Sequence, residues 1–222
     1  MNPPGLVLLI SGRGSNALAI IDAAKTGRIQ APVHAVIADR PAAGLDAAAE
    51  RGIDTATVPR RAFGDRSAFE RALAETVDGF APRLLALAGF MRVLSAGFVQ
   101  RYAGHMVNIH PSLLPRYRGL DTHVRALAAG DRRHGASVHW VTPELDAGPV
   151  IAQARVTVEP GDTAERLAAR VLAQEHRLYP ATLALLLADP VSSSHDTLQT
   201  NPPSPLVLDR DLDAAGRRID RG

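Results

Sequence analysis

The 222-residue sequence contains no cysteine, which removes disulfides, thiolate nucleophiles and zinc–sulfur sites from consideration. Lysine is nearly absent too: of 25 basic residues only Lys25 is lysine, and the rest are arginine. Schiff-base chemistry could therefore use only Lys25, which falls in a predicted surface helix and is set aside. The arginine excess accompanies abundant alanine and reads as coding bias. No long apolar run occurs. The longest, Leu6 to Ser11, is strand-sized, far short of the roughly 20 residues of a membrane span. The N-terminus carries no basic region followed by a small-residue cleavage site, so no secretory signal is expected. Charge of one sign is also lacking, because 25 basic against 23 acidic residues leave +2, too weak for a nucleic-acid-binding field. What is present is a 46% hydrophobic chain, enough for a sizeable core in one domain or one domain plus a tail. These features predict a cytoplasmic enzyme acting on small molecules, with neither nucleic acid nor membrane as partner.

Apolar patterning over the first 160 or so residues alternates between strand and helix. Strands are predicted at Leu6–Ile10, His34–Ala38, Thr55–Val58, Leu84–Ala88, Met106–Ile109, Ser137–Val141 and Val150–Val158. Helices are predicted over Asn16–Thr26 (N-capped by Asn16), Leu45–Arg51, Ser67–Val77, Val124–Ala129 and Thr163–Ala188, the last with a kink at Pro180. Ser67 with Glu70 reads as a capping box. Alternation of this kind implies an α/β fold, Rossmann-like, with a mostly parallel sheet and helices on both faces. One domain over residues 1–188 is expected, followed by a Pro/Ser-rich and charged tail over 189–222 that holds a short strand at Leu206–Leu208.

Three loops carry candidate chemistry. Ser11-Gly12-Arg13-Gly14-Ser15-Asn16 joins the first strand to the first helix, where small residues let backbone N–H groups approach an anion at a helix N-terminus. Gly12-x-Gly14-x-x-Ala17, with Asp39 ending the second strand, also fits a dinucleotide fingerprint, although no Gly-Lys-Ser/Thr follows to make a P-loop. Asn108-Ile109-His110-Pro111 follows the fifth strand. Two residues apart on an extended chain, Asn108 and His110 share a face and form a donor pair suited to an oxyanion. Thr142-Pro143-Glu144-Leu145-Asp146-Ala147-Gly148-Pro149 is the third loop, expected to leave a parallel strand. With Gly89-Phe90-Met91-Arg92, all of these are expected at one edge of the sheet, outside the strands' carboxyl ends, where ligands of such folds bind. His123, His134 and His139 lack the close pairing of metal ligands, and no Gly-x-Ser-x-Gly elbow supports a nucleophilic serine; no metal is expected.

The run Asn108-Ile109-His110-Pro111-Ser112-Leu113-Leu114-Pro115, combined with Leu145-Asp146-Ala147-Gly148-Pro149, resembles the 10-formyltetrahydrofolate-dependent formyltransferases. Ser11 to Asn16, Ala88 to Leu94 and Gln174-Glu175-His176 narrow the resemblance to the branch that formylates phosphoribosylglycinamide in purine biosynthesis. It covers about residues 5 to 188, which makes 1–188 the formyltransferase domain. Arg13 in the phosphate turn and His105 depart from the family's usual residues.

The resemblance implies transfer of formyl from 10-formyltetrahydrofolate, as co-substrate, to the primary amine of phosphoribosylglycinamide. It implies catalytic roles for Asn108 (oxyanion donor), His110 (imidazolium donor) and Asp146 (partner of His110). Gly14, Ser15, Asn16 and Glu175 would bind phosphoribosylglycinamide. Arg66, Met91, Arg92, Val93, Leu94, Asn108 and Val141 would form the folate site. Alternatives are a different amine acceptor, or a nucleotide-dependent oxidoreductase resting on Gly12-x-Gly14-x-x-Ala17 and Asp39.

Overall fold

The first strand dictates the architecture. In β1 (Leu6–Ile10) all five residues are buried, Leu6, Leu8 and Ile10 in one hydrophobic core and Val7 and Leu9 in a second on the opposite face. A strand apolar on both faces needs helices on both faces. The computed structural model of the chain describes residues 4–188 and the backbone of 206–208, and it supplies them. After β1 come α1 (Ser15–Lys25), β2 (Val33–Ala38), α2 (Ala43–Ala49), β3 (Asp54–Thr57), α3 (Arg66–Asp78), β4 (Leu84–Leu87), α4 (Ala96–Arg101) and β5 (Met106–His110). Then follow α5 (Thr122–Ala128), β6 (Arg133–Trp140), β7 (Val150–Thr157), α6 (Ala164–Ala188) and β8 (Leu206–Leu208). Helices α1, α2 and α6 cover one face through Ile20, Ile21, Leu45, Val171, Leu178 and Leu183, while α3 and α4 cover the other through Phe69, Leu73, Val77 and Phe98. Burying each such side chain contributes about 1.5–3 kcal/mol. No helix among the described residues is long and apolar enough to cross a membrane.

One sheet runs in the order β3-β2-β1-β4-β5-β6-β7-β8. Strands β1 to β5 are mutually parallel, so the α/β fold with a mostly parallel sheet holds. The chain reverses its direction of winding between β1 and β4, which opens the crevice where ligands of such sheets bind. Beyond β5 the pattern changes: β6 is antiparallel to both β5 and β7. The loop after β6 therefore leaves at the opposite edge from the carboxyl ends of β4 and β5, contrary to the sequence expectation. Short β8 pairs in parallel with β7 at Ala152 to Ala154; otherwise the expected tail, 189–205 and 209–222, lies outside the described residues.

Two helix starts also differ from expectation. Gly14, in the left-handed region at φ 68°, precedes α1, and Asn16 lies inside the helix rather than capping it. Helix α3 is capped by Asp65, whose carboxylate accepts from the Ala68 N–H at 2.7 Å, and Glu70 is drawn away from any capping box to Ser95 and Arg66. Helix α4, capped by Ser95, and a 3-10 turn at Arg60–Ala62 were not expected, each being too short to show a period. Helix α6 continues through Pro180.

Gly14 has little room for a side chain: a Cβ there would lie 3.2 Å from Gly44 Cα and 3.3 Å from Ile10 Cδ1. A Cβ at Gly12 would meet nothing within 4 Å among the described residues. Gly14→Ala, forced into the left-handed region at a cost of about 1–2 kcal/mol, should lower Tm by about 2–8 °C. Gly12→Ala should melt close to the parent, and equal melting of all three proteins would contradict this view of the turn.

Candidate active site

A cleft of about 900 Å³ opens beside the carboxyl ends of β4 and β5. Residues 89–94 form a strap along one wall, residues 119–124 and 141–146 another, and Asn108 to Pro111 lie on its floor. The strap is fastened from behind at both ends. Ser11 Oγ accepts from the Met91 N–H at 2.8 Å, and Arg92 Nε donates to Asp39 at 2.6 Å. Further along, Arg66 donates to the Val93 carbonyl at 2.6 Å and to Glu70 at 2.8 Å, while Glu70 also accepts from the Ser95 N–H and hydroxyl. Burial pushes the Glu70 carboxyl up, but the hydrogen bonds from Ser95 and Arg66 outweigh it and hold the group below the usual range. Met91 and Val93 are left more than 60% exposed, at 63% and 62%, which makes the strap an apolar rim facing the opening.

On the floor, the antiparallel register of β5 and β6 sets Asn108 opposite His139 and His110 opposite Ser137. His139 Nδ1 donates to the Trp140 carbonyl at 2.8 Å, so a neutral ring leaves Nε2 as an acceptor for the Asn108 amide, 3.2 Å away. Burial keeps His139 neutral by pushing its pKa down, against the opposing pull of the Trp140 carbonyl and Asp146. This contact orients Asn108 Nδ2 and leaves its second hydrogen free for the cleft.

Asp146 reaches this floor because the loop after β6 turns back over the sheet. Gly148 makes the turn possible: a Cβ there would fall 1.8 Å from the Trp140 carbonyl oxygen. Asp146 itself sits in the left-handed region at φ 49°, a strained conformation that aspartate tolerates better than most residues. Its Oδ2 accepts from the Gly119 N–H at 2.9 Å and lies 3.3 Å from His110 Nδ1; its Oδ1 is 3.7 Å from His139 Nε2. The other nitrogen of His110, Nε2, is 2.9 Å from the Tyr117 carbonyl. His110 thus stands between a carboxylate and a carbonyl, with 7% of its side chain exposed.

The first-helix turn is separate from this floor. Asn16 Nδ2 donates to Glu175 Oε2 at 2.6 Å, both residues buried, and Asn16 Oδ1 has no partner among the described residues. Burial pushes the Glu175 carboxyl up, partly offset by that bond. Gly14 and Ser15 stand at the same helix end, and Arg13 is exposed beside them.

The structure brings Asn108, His110 and Asp146 together, and lines the cleft with Met91, Arg92, Val93, Leu94 and Val141. Arg66 is different, standing behind the strap rather than on the cleft wall. Gly14, Ser15, Asn16 and Glu175 group at the α1–α6 contact, outside the cleft lining. Asp39, the ribose-binding acid of the oxidoreductase alternative, has no free oxygen: its buried carboxylate is taken by Ser11, Arg40 and Arg92. His105 Nδ1 lies 3.2 Å from the Arg83 carbonyl, remote from the floor. Sequence reading missed His139. Its signal, alternation with Ser137 against Asn108 and His110, exists only once the strand register is known.

The family model described as formyl transferase matches residues 5–183. The chain belongs to the formyl transferase family. It is 52% identical over 180 residues to the phosphoribosylglycinamide formyltransferase of Escherichia coli strain K12, covering 81% of this chain and 85% of that protein. Among solved structures, the phosphoribosylglycinamide formyltransferase of Coxiella burnetii in complex with CHES superposes with a TM-score of 0.80 at 50% identity, covering 84% of this chain and 88% of that one. The Brucella melitensis enzyme of the same name gives 0.80 at 46% identity, with coverages of 86% and 98%. Within this formyl transferase, a pair of histidines also joins α5 to β6. His134 Nε2 and His123 Nδ1 lie 3.1 Å apart, and His123 lines the cleft.

Burial pushes His134 down to about 4, well below its ordinary value near 6.5. The unfolded chain therefore takes up this proton first as pH falls, so the stability is complete above about pH 6.5 and is lost between 6.5 and 4. Tm should drop across that window, and His134→Gln should flatten the drop. An unchanged slope in the variant would contradict the assignment.

Proposed function

We propose that this chain transfers the formyl group of 10-formyltetrahydrofolate to the primary amine of phosphoribosylglycinamide, a step of purine biosynthesis, in the cytoplasm. Residues 1–188 act as the formyltransferase domain. The observation that carries the reading is the Asn108–His110–Asp146–His139 constellation on the cleft floor of a formyl transferase. Membership of the family and the names of its relatives support the substrates.

The amine attacks the formyl carbon and a tetrahedral oxyanion forms; it collapses as the folate N10 departs with the proton that the amine gives up, relayed through Asp146 and water. Asn108 donates its free amide hydrogen to that oxygen, with His139 fixing the amide's direction. His110 lies two residues along the same strand face and serves as the second donor. For this its Nε2 exchanges the Tyr117 carbonyl for the oxyanion, while Asp146 keeps hold of Nδ1. Asp146 stabilises the imidazolium and, through water, takes the proton lost by the attacking amine. The folate lies along the strap of Met91 to Leu94 and against Val141, with Arg66 holding the strap from outside. The phosphoribosyl end meets Gly14, Ser15 and Asn16 at the amino end of α1, where backbone N–H groups and the helix dipole favour a phosphate. Glu175, already held by Asn16, faces the ribose and glycinamide.

Formyl transfer is followed through the absorbance of the released folate. The purified protein should turn over this substrate pair, and absence of turnover would refute the reading. His110→Ala and Asp146→Asn should each lower kcat by about a hundred- to ten-thousand-fold with the fold intact. Asn108→Asp should lose about 3–4 kcal/mol of transition-state stabilisation while the phosphoribosyl substrate still binds. Near-parental rates in any of the three would remove that residue from the mechanism.

A further inference from the structure

Asp39 lies at the end of β2, one strand removed from the cleft, and nothing in the transfer chemistry calls for it. Its side chain is fully buried, yet three donors converge on it. Arg92 Nε donates at 2.6 Å, Arg40 donates through Nε and Nη2 at 3.3 and 3.2 Å, and the Ser11 hydroxyl donates as well. Burial pushes the carboxyl up, but these hydrogen bonds together overcome it and hold it below the ordinary range, so it stays ionised at neutral pH. Placing an anion in a fully buried position is costly unless every lone pair is used. Here Arg40, the next residue along the chain, takes part of that capacity, and the other two donors lead to the 89–94 segment.

Two of those donors belong to the strap or touch it. Arg92 is a strap residue whose guanidinium would otherwise be free to swing into the cleft that it lines. Ser11, besides donating to Asp39, accepts from the Met91 N–H at 2.8 Å, and its own N–H donates to the Gly89 carbonyl at 3.1 Å. The carboxylate therefore fixes the start of the strap through one side chain and one backbone amide at once. At the far end, the Arg66–Glu70 pair fixes Val93 and Ser95. Between the two anchors lie Met91 and Val93, both more than 60% exposed, next to Phe90 and Leu94, which are buried in the second core.

We propose that Asp39 is a positioning residue for the formyl-donor half of the site: it holds the 89–94 strap in its binding geometry through Arg92 and Ser11 and keeps the Arg92 guanidinium out of the cleft. This rests on the proposed function insofar as the folate lies on that strap. Asp39 touches neither substrate, so its removal should act on donor affinity and leave the phosphoribosyl half alone.

The test is steady-state formyl transfer with each substrate varied in turn, for the parent, Asp39→Ala and Asp39→Asn, with Tm measured for all three. Turnover by the parent is the prior condition; its absence would overturn the functional reading, whereas parental turnover with a normal variant overturns only the present inference. Asp39→Ala should raise KM for 10-formyltetrahydrofolate about ten-fold, as expected for loss of a charge-assisted anchor. KM for phosphoribosylglycinamide should stay within about two-fold. Asp39→Asn keeps an acceptor oxygen without the charge and should fall between, with about a three-fold rise. Should Asp39→Ala not fold, the Asn variant carries the test alone. Tetrahydrofolate binding, followed through the sole tryptophan, Trp140, beside cleft-lining Val141, should weaken in the same order. An unchanged donor KM in a folded variant, or both KM values rising together with a strongly lowered Tm, would overturn the proposal.

Discussion

Strand β6 runs against β5, and that reversal organises the floor of the site. It places Asn108 across from His139 and sends the following loop to the wrong edge of the sheet, from which it must fold back. The return brings Asp146 over the two histidines, at the cost of a left-handed aspartate and a glycine pressed on the Trp140 carbonyl. Strain of this kind persists only where the surroundings over-determine it. Here the Gly119 N–H, His110 and His139 all converge on the same carboxylate.

The two halves of the site hang from neighbouring strands. After β1 the chain makes the Gly12–Gly14 turn; after β4 it makes the strap. Ser11 is common to both, since it directly follows β1, opens the turn and holds the strap by its N–H and its hydroxyl. The crevice at the change of winding direction is thus a place where two loops are tied to one residue. Helix α6 closes the arrangement from below. Glu175 holds Asn16, and one turn later the Tyr179 hydroxyl lies 3.1 Å from both the Leu87 carbonyl at the end of β4 and the Val107 carbonyl near the start of β5.

Much of this was legible in the sequence for physical reasons. β1 announces a doubly covered strand because five consecutive apolar residues cannot serve a half-exposed one. Asn108 and His110 announce a shared face because strand side chains repeat every two residues. Strand direction was not legible: β6 carries the same local pattern whether parallel or antiparallel, so the path of Asp146 and the part played by His139 were hidden. The expected cap of α1 gave way to a left-handed Gly14 with no side-chain cap bond, and that of α3 failed because several polar residues competed for its start. Asp65 caps α3 two residues ahead of the expected Ser67, and Glu70 found other donors in Arg66 and Ser95. Asp39 was visible as an acid at a strand end, but its partner Arg92 is 53 residues away, and only the fold makes them neighbours.

If Asp146 acts through the imidazole that it holds, the two side chains form one unit and their losses do not multiply. The decisive measurement is a double-mutant cycle on kcat for formyl transfer with His110→Ala, Asp146→Asn and the combined variant. The account predicts that the combined variant is slower than the worse single variant by no more than about three-fold, as residues acting as a unit behave. A combined loss equal to the product of the two single losses would mean that Asp146 and His110 work independently, and would contradict it.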